Sequence, residues 1–287
     1  MLLLQAVLSG ILVGGVYALI GVGLTIIFGV MRVINFAHGE LLMLGMYATW
    51  LVFTQMGLDP YVSILIVAPL LFLWGAFLQK FIINRVLNAL PQNQILLTIG
   101  LGLVMSNAVM LKYTSDYRIL TTSYSSASFF LGDLSVSKPL LYSFLVTVAI
   151  TGALAWFLLK TDTGQAIRAT AQDRDAAQLM GINVRWTSVL AFGIGAGLAG
   201  VAGALLSPTY YIFPQVGGAF TLKAFVIVVL GGMGSIVGAT LGGLIIGVTE
   251  SLSAIYVASG LKELVVYVLF LALLLFKPSG LLGKSRA

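Results

Sequence analysis

The sequence predicts an all-α, polytopic transmembrane bundle with about eight or nine spans. The first observation behind this is composition. Of 287 residues, 60% are hydrophobic and only 8% charged, with mean hydropathy +1.08, whereas soluble domains carry about a quarter charged residues. The second is that the charges are confined to short stretches between long apolar runs. The third is that these runs are continuous and lack the two-residue alternation of a membrane β-barrel. In hydrocarbon a backbone must satisfy its own hydrogen bonds, and a helix does so within one segment.

Taken in order, the predicted spans are 5–29, 41–57, 61–79, 94–111, 140–159, 187–207, 217–231, 236–253 and 264–276. Most reach the roughly 17 to 25 residues needed to cross the bilayer core. The start, Met1-Leu2-Leu3-Leu4-Gln5, has no basic region like that of a secretory signal and runs directly into the first span, so it reads as a retained helix. The 217–231 segment is short and contains Lys223. If it is re-entrant, the spans number eight. Two connections are long: 112–138, rich in Ser, Thr and Tyr, and 160–186, rich in charge. The whole chain, 1–287, reads as a single transmembrane domain.

Counting basic residues orients this set. One side collects Arg32, Lys80, Arg85, Lys160, Arg168, Arg174, Arg185, Lys277, Lys284 and Arg286; the other holds Lys112, Arg118, Lys138, Lys223 and Lys262. The richer side is predicted to be cytoplasmic, with the N-terminus outside and the C-terminus inside. The same topology accounts for the net charge of +6, because the basic residues are scattered over short loops with no stripe of interleaved aromatics. Nucleic acid is therefore not expected as a partner.

Glycines recur four apart at Gly10 and Gly14, at Gly193 and Gly197, and at Gly234, Gly238 and Gly242. In lipid this spacing lets helix backbones approach closely, and it also suits hinges or breaks.

The stretch 161–183 is the longest one resembling soluble, amphipathic helix. Asp175 is expected to cap a short helix through Ala176, Ala177, Gln178, Leu179 and Met180, with Gly181 ending it. The result is a knob with Leu179 and Met180 as apolar contacts and Arg168, Asp173 and Arg174 as a charged rim. Such a knob suits docking into a groove on another protein. A solvated loop helix would read the same way.

Two places interrupt apolar sequence with small or polar residues: Asn35-Phe-Ala-His-Gly-Glu40 and Gly231-Gly-Met-Gly-Ser235. Unwound backbone in a membrane is tolerated where protein or a water-filled cavity surrounds it. Asn35, His38, Gly39, Glu40, Gly231, Gly232, Gly234 and Ser235 are therefore candidates for lining a path. An amino acid on such a path needs acceptors for its ammonium, such as Asn35 or Glu40, and exposed N–H groups for its carboxylate. The alternative is a pair of tight turns, with His38 and Glu40 bonded to each other or to Arg32. Lys223, Glu250 and Glu263 are the other ionisable residues near span boundaries. Snorkelling accounts equally for Lys223, and Lys262 and Glu263 read as interfacial.

Several function classes recede. The chain has no cysteine and one histidine, His38, so neither disulfide nor zinc chemistry is expected. No nucleophile accompanies that histidine, so the chain is not expected to be an enzyme. An ion-coupled secondary transporter remains a rival, but its relay usually places several ionisable groups at mid-span, where these spans have essentially none. The chain also lacks a G-x-x-x-x-G-K-[ST] phosphate loop, so any ATP used is bound elsewhere.

Asp175-Ala-Ala-x-x-x-Gly181 resembles the Glu-Ala-Ala-x-x-x-Gly loop through which permease subunits of bacterial ABC importers couple to their ATPases, with Asp in place of Glu. From end to end the chain resembles the LivH-type permeases of high-affinity branched-chain amino acid importers. The resemblance rests on Gly15-Val-Tyr-Ala-Leu-Ile-Gly21, Ile34 to Glu40, Ala169 to Gly181, Gly231 to Ser235 with Gly238 and Gly242, and Pro278-Ser-Gly-Leu-Leu-Gly283. It implies a machine of five parts in the bacterial inner membrane: this permease, a second related permease, two cytoplasmic ATPase subunits and an extracytoplasmic substrate-binding protein. It implies no cofactor in this chain, with ATP held by the partner subunits and Arg168, Arg174, Asp175 to Ala177, Leu179, Met180 and Gly181 making the coupling contact. Branched-chain amino acids are the implied substrates; related permeases carry urea or short amides.

Overall fold

A computed structural model describes residues 1–87, 89–132 and 134–283. Of the basic residues used above to orient the chain, Lys284 and Arg286 lie outside these. The described residues form eleven α-helices: α1 (Leu2–Met31), α2 (His38–Met56), α3 (Pro60–Phe81), α4 (Pro91–Tyr113), α5 (Lys138–Lys160), α6 (Asp162–Gln172), α7 (Arg174–Leu179), α8 (Val184–Leu206), α9 (Val216–Gly231), α10 (Ile236–Tyr256) and α11 (Lys262–Phe276). All nine predicted spans are helical. Seven, α1, α3, α4, α5, α8, α10 and α11 taken with the 3-10 turn before it (Ser259–Phe276), are long and apolar enough to cross a membrane. The other two are α2, whose first turn holds His38 and Glu40, and α9, which has only 16 residues. The chain is thus a multi-pass helical membrane protein.

α1 and α8 lie at the centre and are buried along most of their length, while α4, α5 and α11 expose apolar faces at the periphery. Small residues set how closely the inner helices pack. A Cβ on Gly247 of α10 would sit 2.4 Å from the Gly10 carbonyl and the Gly14 Cα of α1. Gly238 and Gly242 of α10 meet the backbone of Gly231 and Ile227 on α9, and Gly193 and Gly197 of α8 meet Phe72 and Ala68 on α3. The glycine spacings read from the sequence therefore serve three separate helix contacts, which van der Waals attraction holds together where lipid removes any hydrophobic drive.

One feature was not expected from the sequence. The 112–138 connection carries a two-stranded antiparallel hairpin, β1 (Ser128–Leu131) with β2 (Leu134–Ser137), in the register Ser128↔Ser137. The Gln5 side chain ties α1 to it, donating to the Ser135 carbonyl and accepting from the Ser135 N–H. Arg118 and Ile212 exchange backbone hydrogen bonds of 2.9 and 2.8 Å, joining this connection to the one before α9. Tyr124 donates to Asp59 at 2.5 Å; burial first, and then Asp59, push its hydroxyl pKa up. Short alternating runs among Ser and Thr carry too weak a pattern to be read as strands.

Candidate functional site

The path between α1 and α2 is the first place where the backbone leaves regular structure. α1 ends at Arg32, in the left-handed region (φ 55°), with its N–H on the Phe28 carbonyl. The chain then turns back along α1. His38, the first residue of α2, places its Nε2 3.1 Å from the Ile20 carbonyl. A carbonyl only accepts, so Nε2 carries the proton and donates. Ile20 lies eleven residues before Met31 on α1, about 16 Å along its axis. α2 therefore starts in the interior of the bundle.

α9 starts in the same interior region. Its backbone runs antiparallel to α2, with Phe36 packed on Phe225 at 4.8 Å and the Gly39 N–H donating to Thr221 Oγ1 at 3.0 Å. A Cβ on Gly39 would sit 1.9 Å from the Gly217 carbonyl, so the two helices touch backbone to backbone. Neither start is capped by a side chain at its N-cap position, Ala37 or Gln215. Two helix N-termini, each a partial positive charge, thus face one another in the middle of the fold.

Polar side chains at this junction are incompletely satisfied. Asn35 Oδ1 accepts from the Ala37 N–H, but its Nδ2 has no partner; His38 Nδ1 and Glu40 Oε2 have none either. Asn35 and His38 are fully buried and Glu40 is 9% exposed. The alternative in which His38 and Glu40 bond to each other or to Arg32 is not the arrangement observed.

Gly231, Gly232, Gly234 and Ser235 lie elsewhere, in a tight turn between α9 and α10. Gly232 and Gly234 adopt φ of 99° and 89°, open to glycine and strained for other residues. Ser235 caps α10 by accepting from the Gly238 N–H at 3.0 Å. The tail closes this turn: the N–H groups of Leu281 and Leu282 donate to the carbonyls of Leu230 and Gly231. Gly29 of α1 packs near Gly234. This turn is therefore nine residues of α1, about 14 Å, from the level of Ile20. The structure separates the two clusters that the sequence grouped as one path.

The turn instead meets the charged segment. Gly234, Ser235, Arg32 and Arg168 line one cavity of about 750 Å³ between the end of α1, α6 and the turn. A second, of about 280 Å³, is lined by Arg32, Thr170, Asp173, Arg174 and Asp175. Arg168 Nε donates to the Leu158 carbonyl at 2.9 Å, fastening α6 beneath the end of α5.

α7 is the expected knob, with one correction. Its N-cap is Asp173, whose Oδ1 accepts from the N–H groups of Asp175 and Ala176 at 3.0 Å; Asp175 sits in the first turn. Asp173 wins because it follows directly on the end of α6, where the extended backbone (φ −150°) suits a cap. Gly181 ends α7 at φ 83°; its N–H reaches Gln178 and that of Ile182 reaches Ala177, a full Schellman motif. Ala177 is buried, Ala176 and Asp175 are exposed, and Leu179 and Met180 are 87% and 83% exposed. Two large apolar side chains are thus exposed on a turn capped at both ends.

The interior also holds charge that sequence reasoning placed at span boundaries. Lys223 of α9 donates to Glu250 of α10 at 2.8 Å and to the Tyr17 hydroxyl at 3.0 Å. Tyr17 contacts the Tyr210 hydroxyl at 2.8 Å, and Lys262 adds a second bridge to Glu250 at 3.1 Å. Lys223 and Glu250 are 7% and 6% exposed. Two ionisable residues that the sequence placed near span boundaries are thus buried and paired between helices. An apolar run of this length hides one lysine easily, and its partner lies 27 residues away in the sequence.

Comparison with known proteins decides what this architecture belongs to. The family model described as "Branched-chain amino acid transport system / permease component" matches residues 6–274. The chain belongs to this permease family. The permease is 35% identical to the high-affinity branched-chain amino acid transport system permease protein BraD of Pseudomonas aeruginosa, over 99% of its own length and 96% of BraD. It is 33% identical to LivH of Salmonella typhimurium and 32% to LivH of Escherichia coli, with the same coverage. These relatives are transport permeases, and the permease likewise has the helices of a multi-pass membrane protein.

Proposed function

We propose that the permease is one of two membrane subunits of an ATP-driven importer in the bacterial inner membrane, and that it carries branched-chain amino acids inward. The supporting observation is similarity along nearly the whole chain to permeases named for that transport. It is not an enzyme in this reading and holds no cofactor; ATP belongs to two cytoplasmic ATPase subunits, and substrate arrives from an extracytoplasmic binding protein. Residues 1–287 act as one permease domain, with 160–186 as the coupling loop and 112–138 on the outer face.

The excess of Lys and Arg at the end bearing Arg32 and α6 supports a cytoplasmic location for that end. Nine crossings follow, with the N-terminus outside and residues 207–215 descending to the start of α9. Coupling runs through Arg168, Arg174, Asp175, Ala176, Ala177, Leu179, Met180 and Gly181. ATPase closure moves α6 and α7 against the end of α1 and the α9–α10 turn, whose residues line a common cavity with α6, shifting the population between two packings. Substrate passes the α2–α9 junction at Asn35, His38, Gly39 and Glu40, where uncapped helix starts and unsatisfied polar atoms meet.

The test is purification of the permease from its native membrane with identification of what accompanies it, beside Asp175→Arg and Gly181→Val variants. A second permease and two ATPases, present with the unaltered chain and lost from the variants, is the expected result. A chain that stays alone in every case refutes the importer reading. Uptake of urea or a short amide in place of leucine by the reconstituted complex refutes the substrate.

A further inference from the structure

Glu40 is the third residue of α2, and its carboxylate lies over the start of α9. A Cβ built on Gly217 would meet Oε2 at 2.3 Å, Cδ at 2.5 Å and Oε1 at 2.7 Å. On the other side its Cγ packs 3.4 Å from where a Cβ of Gly102 on α4 would stand. The side chain thus occupies a slot that exists because position 217 lacks a side chain. It is 9% exposed, Oε2 has no hydrogen-bond partner, and among the described residues both ion pairs fall on Glu250, none on Glu40.

A carboxylate removed from water without a counter-charge costs several kcal/mol. The dipole at the start of α9 offsets only part of that. A proton on the carboxyl or a cation beside it relieves that cost. The unsatisfied groups of Asn35 and His38 precede Glu40 on the same turn. A cation that visits and leaves suits a transport path better than a permanent ion pair, which would hold α2 and α9 fixed.

We infer that the Glu40 carboxylate accepts the α-ammonium group of the transported amino acid as it crosses the α2–α9 junction. This rests on the reading of the permease as an amino acid importer and assigns the polar contact within it. The apolar side chain of the substrate then needs no polar partner there, and α-amino acids are admitted over neutral amides by this one charge.

The experiment uses the complete importer in proteoliposomes. Glu40→Gln is expected to lower leucine taken up per ATP hydrolysed about tenfold or more, the factor for one charge-assisted hydrogen bond; Glu40→Asp is expected to recover part of it. In the unaltered complex, dicyclohexylcarbodiimide labelling of Glu40, read by peptide mass spectrometry, is expected to fall when leucine and ATP are supplied. This second measurement decides the matter if Glu40→Gln does not assemble. Labelling unchanged by leucine, or blocked at all times as by a cation of the second permease, overturns the inference. So does wild-type transport by Glu40→Gln. If the unaltered complex takes up no leucine, the importer reading itself has failed.

Discussion

Replacing Glu250 with Ala would strip Lys223 of its counter-ion while leaving it 7% exposed between α1, α9 and α10. The remaining polar contact is the Tyr17 hydroxyl at 3.0 Å, with that ring 4.4 Å from the ammonium. Removing one partner of a buried pair costs about 3 to 5 kcal/mol, because the other charge is stranded. Lys262 bonds the same carboxylate, but its side chain is 35% exposed, and a pair so open to solvent contributes about 0 to 1 kcal/mol. Glu250→Ala should therefore be several-fold more damaging than Lys262→Ala, although both break a bridge to one residue. A double change, Lys223→Met with Glu250→Gln, removes both charges and should recover most of the loss.

The chain has four tryptophans and no cysteine, so intrinsic fluorescence during heating in detergent is the natural assay. At roughly 2 °C or more per kcal/mol, Glu250→Ala should lower the midpoint by about 6 °C or more and Lys262→Ala by no more than about a third of that shift. Equal shifts for the two single variants would refute the idea that burial governs this network. So would a double variant no better than Glu250→Ala.

Two further predictions follow from local geometry. Asp173→Ala removes the cap of α7 and should cost the knob about 1 kcal/mol, seen as faster amide exchange over 174–180, whereas Asp175→Ala leaves the cap intact; equal exchange in both would return the cap to Asp175. Gly39→Ala drives a methyl into the Gly217 carbonyl, at 1.9 Å before relaxation, and should separate α2 from α9, giving a complex that assembles poorly or transports at background; normal uptake would show that the junction is not tight.

The elements were legible because lipid makes the sequence signal local. A span must satisfy its own backbone and present an apolar surface, so composition over about twenty residues is enough, and all nine segments became helices. The knob was legible for a related reason: Gly181 at φ 83° is a conformation that glycine advertises. Its cap was misplaced by two residues because Asp173 and Asp175 are chemically equivalent in sequence, and only the end of α6 tells them apart. What the sequence could not show is depth. Asn35 to Glu40 and Gly231 to Ser235 look alike as polar, glycine-bearing breaks between apolar runs. Yet the first folds back about 16 Å along α1 and the second remains a surface turn strapped by the tail. That difference depends on His38 reaching Ile20 and on Gly39 fitting against Gly217, contacts spanning 18 and 178 residues. Lys223 and Glu250 follow the same logic, each an isolated charge in an apolar run until α9 and α10 pack together. The residues that give a membrane permease its polar interior are therefore the ones whose meaning is carried by tertiary pairing. A charge alone in an apolar run should be read as half of a pair whose other half lies on another helix.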